Sequence, residues 1–205
     1  MNAPPPSSPP RHLLPLALAG LAAVLIVVAV VSLAAPHWLR ATDQGPTLGG
    51  PFTLVDGKGH TVTDANFRGR LMMMYFGYTF CPDVCPTTLA TIGRALDKLT
   101  KQERAQVAPL FITVDPARDT PATMGAYVAN FAPDLVGLTG SPQQIAAVLR
   151  EYRVYAEKVP GKGANDYTMD HSSIIYFVGR DGRFRGIIAA NATVPELDDA
   201  IRKYL

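Results

Sequence analysis

Charged residues and cysteines are both scarce in this chain of 205 residues. Two cysteines are too few for a disulfide-rich scaffold, which excludes the small stapled domains of many secreted proteins. The formal net charge of +2 is too small to indicate a nucleic-acid-binding surface, and we expect no nucleic-acid partner. Charged side chains make up only 18% of the sequence, and this low share indicates that part of the chain lies in lipid.

Residues 13–35 contain no charged side chain. As a helix, this run is long enough to cross the roughly 30 Å hydrocarbon core of a membrane. A cleaved signal peptide is the alternative, because Ser32-Leu33-Ala34 has the small-x-small pattern of a cleavage site. The apolar core of a signal peptide is normally about 7–15 residues long, and this run is longer. We therefore predict an uncleaved transmembrane anchor.

The rest of the chain is divided around this anchor. We predict a short N-terminal tail at 1–12, the transmembrane anchor at 13–35, a linker at 36–50 and one folded domain at 51–205. A mitochondrial targeting segment should be rich in arginine, but Arg11 alone precedes the anchor. We expect a single-pass protein of a bacterial inner membrane, with its C-terminal domain in the periplasm.

The folded domain alternates apolar runs with amphipathic stretches. Leu71–Phe76 and Leu110–Val114 are continuous apolar runs, typical of strands buried on both faces. Helix starts are predicted by Thr120-Pro121 and by the capping-box spacing that begins at Ser141 and Thr193. A strand followed by two cysteines and a helix is a thioredoxin-like arrangement. We predict an α/β, thioredoxin-like fold with a mixed central sheet, flanking helices and an N-terminal β-hairpin.

The two cysteines, Cys81 and Cys85, lie between a predicted strand and a predicted helix. Each precedes a proline, and we expect the helix to begin at Pro86, with Cys85 near its N-cap. Sulfur atoms at the positive end of a helix dipole should have a lowered pKa. Three uses of the pair remain open: a structural disulfide, which would be a weak staple, a redox disulfide, or a soft-metal site that needs a third ligand.

His171 is the candidate third ligand. It precedes the predicted strand that starts at Ile174, and the loop before that strand should face the cysteine turn in a thioredoxin-like fold. We expect Lys158–Asp166 to be a loop as well. Two thiolates and one imidazole suit Cu(I), and the set could accept Cu(II) with an added oxygen ligand. The neighbouring carboxylates Asp83 and Asp170 are expected to be solvated.

Three segments resemble signatures of the Sco/SenC family: Tyr75–Pro86, which holds the cysteines, Ile112–Thr120, and Asp170–Ser173, which holds the histidine. The resemblance spans about Phe52 to Leu205, with the single anchor in front. It implies a membrane-anchored copper protein that assists assembly of the copper A centre of cytochrome c oxidase.

By match of position, the resemblance implies that Cys81, Cys85 and His171 are the copper ligands. The implied partner is the copper A subunit of cytochrome c oxidase, and other copper chaperones are further candidates. The implied role is a metallochaperone that delivers copper, keeps the oxidase cysteines reduced, or does both. The alternative is a thiol–disulfide oxidoreductase without a copper-carrier role.

Overall fold

The computed structural model describes residues 21–29, 48–163 and 166–205. The chain divides into two compact units, Met1–Gly45 and Pro46–Leu205.

In the first unit, residues 21–29 are helical and exposed. Among the described residues, no helix is both long enough and apolar enough to cross a membrane. The predicted tail at 1–12 and most of the predicted anchor at 13–35 and linker at 36–50 lie outside the described residues.

The second unit is built on a mixed seven-stranded sheet. Its strands are β1 (Thr53–Asp56), β2 (Thr61–Thr63), β3 (Leu71–Gly77), β4 (Val107–Thr113), β5 (Val136–Thr139), β8 (Ile174–Val178) and β9 (Phe184–Ala189), in the order β2-β1-β5-β4-β3-β8-β9. A separate ribbon pairs β6 (Ala156–Pro160) with β7 (Tyr167–His171). The pairs β3–β4 and β4–β5 are parallel, and the other pairs are antiparallel. The predicted mixed sheet and N-terminal hairpin are confirmed.

The described part of this unit has five α-helices and a short 3₁₀ helix at Asp64–Phe67. The α-helices are α1 (Val84–Leu96), α2 (Lys101–Arg104), α3 (Pro121–Val128), α4 (Pro142–Glu151) and α5 (Val194–Tyr204). Thr120, Ser141 and Thr193 cap α3, α4 and α5 through their side-chain oxygens, as predicted, and each is followed within the first turn by a proline. Helix α1 packs against α5, and α3 contacts β5 and β1.

The two central strands supply the core of the domain. Every residue of β3 and β4 is buried, as expected for continuous apolar runs, and Met72–Met74 are part of the core. Successive side chains of β3 point to opposite faces. Tyr75 accordingly stacks on Phe111, whereas Phe76 contacts Tyr152 and Tyr176. The face that carries Tyr75 is the one that meets the cysteines.

The β6–β7 ribbon corrects two expectations. Residues 158–166 are predicted to be a loop and His171 to lie in one. Residues 161–163 and Asp166 lie outside any helix or strand, as predicted, but residues 158–160 belong to β6 and His171 ends β7. Side chains of β7 alternate between half-buried and exposed. Such a strand can carry charged residues on its exposed face, so its sequence lacks the continuous apolar run that predicts a central strand. Residues 164 and 165 lie outside the described residues.

Candidate metal centre at the cysteine turn

Helix α1 begins earlier than predicted, and this moves Cys85 inside it. The helix starts at Val84 with Asp83 as its N-cap, so Pro86 lies in the first turn rather than at the first position. A proline is tolerated there because the first N–H groups of a helix have no intrahelical partner. Cys81 lies before the helix and is partly buried, whereas Cys85 is fully buried.

The sulfur of Cys85 is enclosed by strand β3. Gly77 leaves room for it: a Cβ atom at that position would lie 2.7 Å from the Cys85 Sγ. The Tyr75 hydroxyl donates a hydrogen bond to this Sγ over 3.7 Å. The backbone N–H of Cys85 in turn donates to the Sγ of Cys81 over 3.4 Å. Both cysteines are free thiols, held at one turn by these contacts.

Burial decides the ionisation of Cys85. The helix-end position was expected to lower its pKa, but removal from water raises the pKa of Cys85 to about 12, and the neighbouring Cys81 adds to the rise. Hydrogen bonds from the Tyr78 backbone and the Tyr75 side chain lower this pKa, but they are outweighed. The prediction of a lowered pKa is therefore wrong for Cys85, which is a neutral thiol at neutral pH until something displaces its proton.

The structure brings His171 to the cysteine turn, as expected. Its Nε2 lies 3.6 Å from the Cys85 Sγ. Its Nδ1 is 3.2 Å from the carbonyl oxygen of Ser172, and since a carbonyl oxygen only accepts, Nδ1 carries the proton. Burial lowers the pKa of His171, which favours the neutral ring. The Nε2 lone pair therefore faces the sulfur.

The 3.6 Å separation has the size expected for two ligands of one ion. Ligand bonds of about 2.0–2.3 Å at a trigonal angle place sulfur and nitrogen about 3.7 Å apart. No group of three or more His, Cys, Asp or Glu side chains in the described residues is already arranged around a metal position. Cys85 contacts His171 through its sulfur, and the backbone N–H of Cys85 contacts the sulfur of Cys81, so Cys85 links the other two candidate residues.

Sequence reasoning missed a buried carboxylate that braces the cysteine turn. Asp119 accepts hydrogen bonds from the Thr79 backbone N–H over 3.1 Å and from the Thr79 and Thr113 hydroxyls over 2.5 Å each. Burial raises its pKa. Thr79 lies two residues before Cys81, so this network fixes the chain that enters the turn. In the sequence, Asp119 lies within Ile112–Thr120, which resembles a family signature but does not indicate the role of this carboxylate.

The neighbouring carboxylates Asp83 and Asp170 are exposed, as expected. Asp115 braces its loop through an ion pair with Arg118. A mixed sheet with a dithiol at a strand-to-helix turn defines a thioredoxin-like protein, and the facing imidazole adds a candidate soft-metal site to that class.

Comparison with known proteins identifies the family. The SCO1/SenC family profile matches residues 40–205, and this chain belongs to that family. Its relatives include the mitochondrial SCO2 homolog of Bos taurus, 42% identical over 81% of this chain and 63% of the relative. The mitochondrial SCO1 homolog 1 of Arabidopsis thaliana is 40% identical over 80% of this chain and 50% of the relative. The chain thus spans between half and two thirds of the length of these curated relatives.

A solved structure of the same family carries copper. Bradyrhizobium japonicum ScoI with copper bound is 47% identical, with a TM-score of 0.71 over 77% of this chain and 99% of that one. The resemblance noted in the sequence and the thioredoxin-like fold are both confirmed.

Proposed function

We propose that this protein binds Cu(I) through Cys81, Cys85 and His171 and assists assembly of the copper A centre of cytochrome c oxidase. The observation that carries the proposal is the 3.6 Å approach of the His171 Nε2 to the Cys85 Sγ. Two soft sulfurs and one imidazole form a ligand set that suits Cu(I), and an added oxygen ligand would allow Cu(II). The copper in the related ScoI structure supports the choice of metal.

The burial of the ligands supports a carrier that releases its metal to a partner. Cys85 is fully buried and would hold the ion, whereas Cys81 and His171 are partly exposed. A thiolate of the copper A subunit, or of another copper chaperone, would reach the side of Cys81 and His171 first and displace one ligand at a time. The protein would then act as a metallochaperone rather than as a turnover enzyme.

Retention of copper tests this proposal. The reduced full-length chain in detergent is given one equivalent of Cu(I) and dialysed against a moderate chelator, and bound copper is counted. We expect about one retained ion in the wild type and loss of retention in His171→Ala. His60→Ala is the matched control, because the His60 side chain is exposed in the β1–β2 turn and pairs with the neighbouring Asp56. Equal retention in H171A and the wild type would contradict the proposed ligand set.

A second candidate function is thiol–disulfide exchange, favoured by the partly exposed free thiol of Cys81. The Cys81 thiolate would attack a partner disulfide and release one partner thiolate, leaving a mixed disulfide. Attack by the Cys85 thiolate on Cys81 would release the second, so that the partner is reduced and the Cys81–Cys85 pair is oxidised. The raised pKa of Cys85 slows this second attack at neutral pH. Reductase activity that persists in H171A, without copper retention by the wild type, would favour this alternative.

We also propose that the domain is tethered to a bacterial inner membrane by residues 13–35 and faces the periplasm. The uncharged run of that segment supports an anchor, with a tail at 1–12 and a linker at 36–50. The copper-bound bacterial ScoI supports a bacterial setting. A C-terminal reporter enzyme that is active only outside the cytoplasm should be active on the full chain and should stay in the membrane fraction after alkaline extraction. Release into the soluble fraction would contradict the anchor.

A further inference from the structure

The position of His171 depends on a ribbon that lies outside the main sheet. Strands β6 and β7 pair only with each other among the described strands, and β6 is exposed along most of its length. A two-stranded hairpin is marginally stable on its own in water. At the base of the ribbon, Ser172 N–H donates to the Tyr155 carbonyl over 3.1 Å. A second set of contacts restrains the ribbon at its other end.

Tyr167, the first residue of β7, is held by the loop that follows β4. The Tyr167 hydroxyl lies 3.0 and 3.1 Å from the two carboxylate oxygens of Asp115. Arg118 Nη1 donates to the Tyr167 carbonyl oxygen over 3.0 Å, and the Arg118 guanidinium carbon lies 3.6 Å from the centre of the Tyr167 ring. Arg118 Nε also donates to Asp115. We call Asp115, Arg118 and Tyr167 the arginine latch.

The same guanidinium also touches the cysteine turn. The Arg118 guanidinium carbon lies 4.7 Å from the ring centre of Phe80, the residue immediately before Cys81, and 5.7 Å from that of Tyr78. The side chains of Arg118 and Asp115 are only 20% and 5% exposed, so their charge-assisted bonds are weakly screened by solvent. One cation therefore joins the ribbon that carries His171 to the turn that carries the cysteines.

We propose that Arg118 is a positioning residue that keeps the His171 Nε2 within ligand distance of Cys85 by fixing the β6–β7 ribbon to the cysteine turn. The inference rests on the proposed copper-binding function and adds a residue that does not itself contact the ion. Lysine cannot replace it fully, because a single ammonium lacks the planar fork that reaches Asp115 and the Tyr167 carbonyl while stacking on a ring.

The test compares Arg118→Ala with Arg104→Ala in the full-length chain in detergent. Arg104 is a matched control: its side chain is 24% exposed and pairs with Asp97 and Asp134, and it belongs to α2, away from the ribbon. In the metal-free state, we expect the amides of β7 to exchange with deuterium about tenfold faster or more in R118A. R104A should leave their exchange at the wild-type rate.

Copper affinity supplies the second readout, measured by competition with a chelator of known Cu(I) affinity. We expect R118A to weaken Cu(I) binding about tenfold or more, R118K to weaken it less, and R104A to leave it unchanged. Because Arg118 acts through His171, adding R118A to H171A should produce no further loss. Should R118A fail to fold, Tyr167→Phe removes only the bond to Asp115 and should move both readouts in the same direction.

Two results would overturn the latch. One is β7 exchange in R118A that matches R104A, and the other is a loss of affinity from R118A that is undiminished in the H171A background. Failure of the wild type to bind Cu(I) would instead overturn the proposed function, and the exchange rates of the metal-free chain would then decide the latch alone.

Discussion

Gly77→Ala should disturb the candidate metal centre from inside the core. The added Cβ would lie 2.7 Å from the Cys85 Sγ and 2.8 Å from the Phe111 Cε2, both too close for ordinary contact. The backbone cannot retreat easily, because Gly77 pairs with Thr113 and its carbonyl accepts the Val114 N–H over 2.8 Å. Overpacking of this kind costs about 1–3 kcal/mol. Cys85 lies in the first turn of its helix, so its side chain is the neighbour most free to move.

Two measurements on G77A separate a general loss of stability from a local change at the sulfur. Urea unfolding should show a free energy of unfolding lower by about 1–3 kcal/mol, and Cu(I) retention should fall because Cys85 moves away from His171. Gly93→Ala is the matched control. Gly93 lies in α1, as Cys85 does, and its added Cβ would lie 2.5 Å from the Phe131 carbonyl oxygen rather than near a sulfur. G93A should lose stability and keep its copper. Wild-type stability and copper retention in G77A would refute the packing argument.

Three further predictions concern the groups around Cys85. Tyr75→Phe removes the hydroxyl that donates to the Cys85 Sγ, which should raise the pKa of Cys85 further. The lost hydrogen bond is worth about 0.5–1.5 kcal/mol, so alkylation of Cys85 at alkaline pH should slow several-fold. An unchanged pH–rate profile would contradict this. Asp119→Ala leaves the buried Thr113 hydroxyl and the partly buried donors of Thr79 without their acceptor and should lower the free energy of unfolding by about 1–3 kcal/mol in urea, whereas a neutral effect would exclude a bracing role. The pKa of Cys85 is raised from 9.0 to about 12 on folding, so the unfolded chain loses this proton first. The free energy of unfolding should therefore fall as the pH rises through that window. Cys85→Ala should flatten this pH dependence, and a fall of equal slope in C85A would contradict the attribution of the effect to Cys85.

The parts of the fold that local chemistry encodes were predictable from the sequence. The caps Thr120, Ser141 and Thr193 mark the starts of three helices, because their side-chain oxygens accept hydrogen bonds from N–H groups that have no partner within the helix. A proline within the first turn makes each of these starts recognisable in the sequence. Leu71–Phe76 predicted a central strand, because a short run that is apolar at every position is typical of a strand buried on both faces. The approach of His171 to the cysteine turn was predictable from the thioredoxin-like fold, in which the segment before the Ile174 strand faces that turn.

What the sequence could not predict depends on contacts between distant residues. The burial of Cys85 comes from the packing of α1 against Gly77 and Tyr75 on β3, and the residue types in Tyr75–Pro86 do not by themselves encode how close that packing is. The β6–β7 ribbon is polar enough to read as a loop, since its strands bury only part of one face. The contact of Arg118 with Tyr167 joins residues 49 positions apart.

X-ray absorption at the copper edge of the Cu(I)-loaded chain tests the central claim most directly. If Cys81, Cys85 and His171 hold the ion, the wild-type spectrum should show two sulfur neighbours and one nitrogen neighbour. His171→Ala should lose the nitrogen and keep the sulfurs, and His60→Ala should match the wild type. A copper site with sulfur neighbours alone, unchanged in H171A, would contradict the proposal that the imidazole beside Cys85 is a metal ligand.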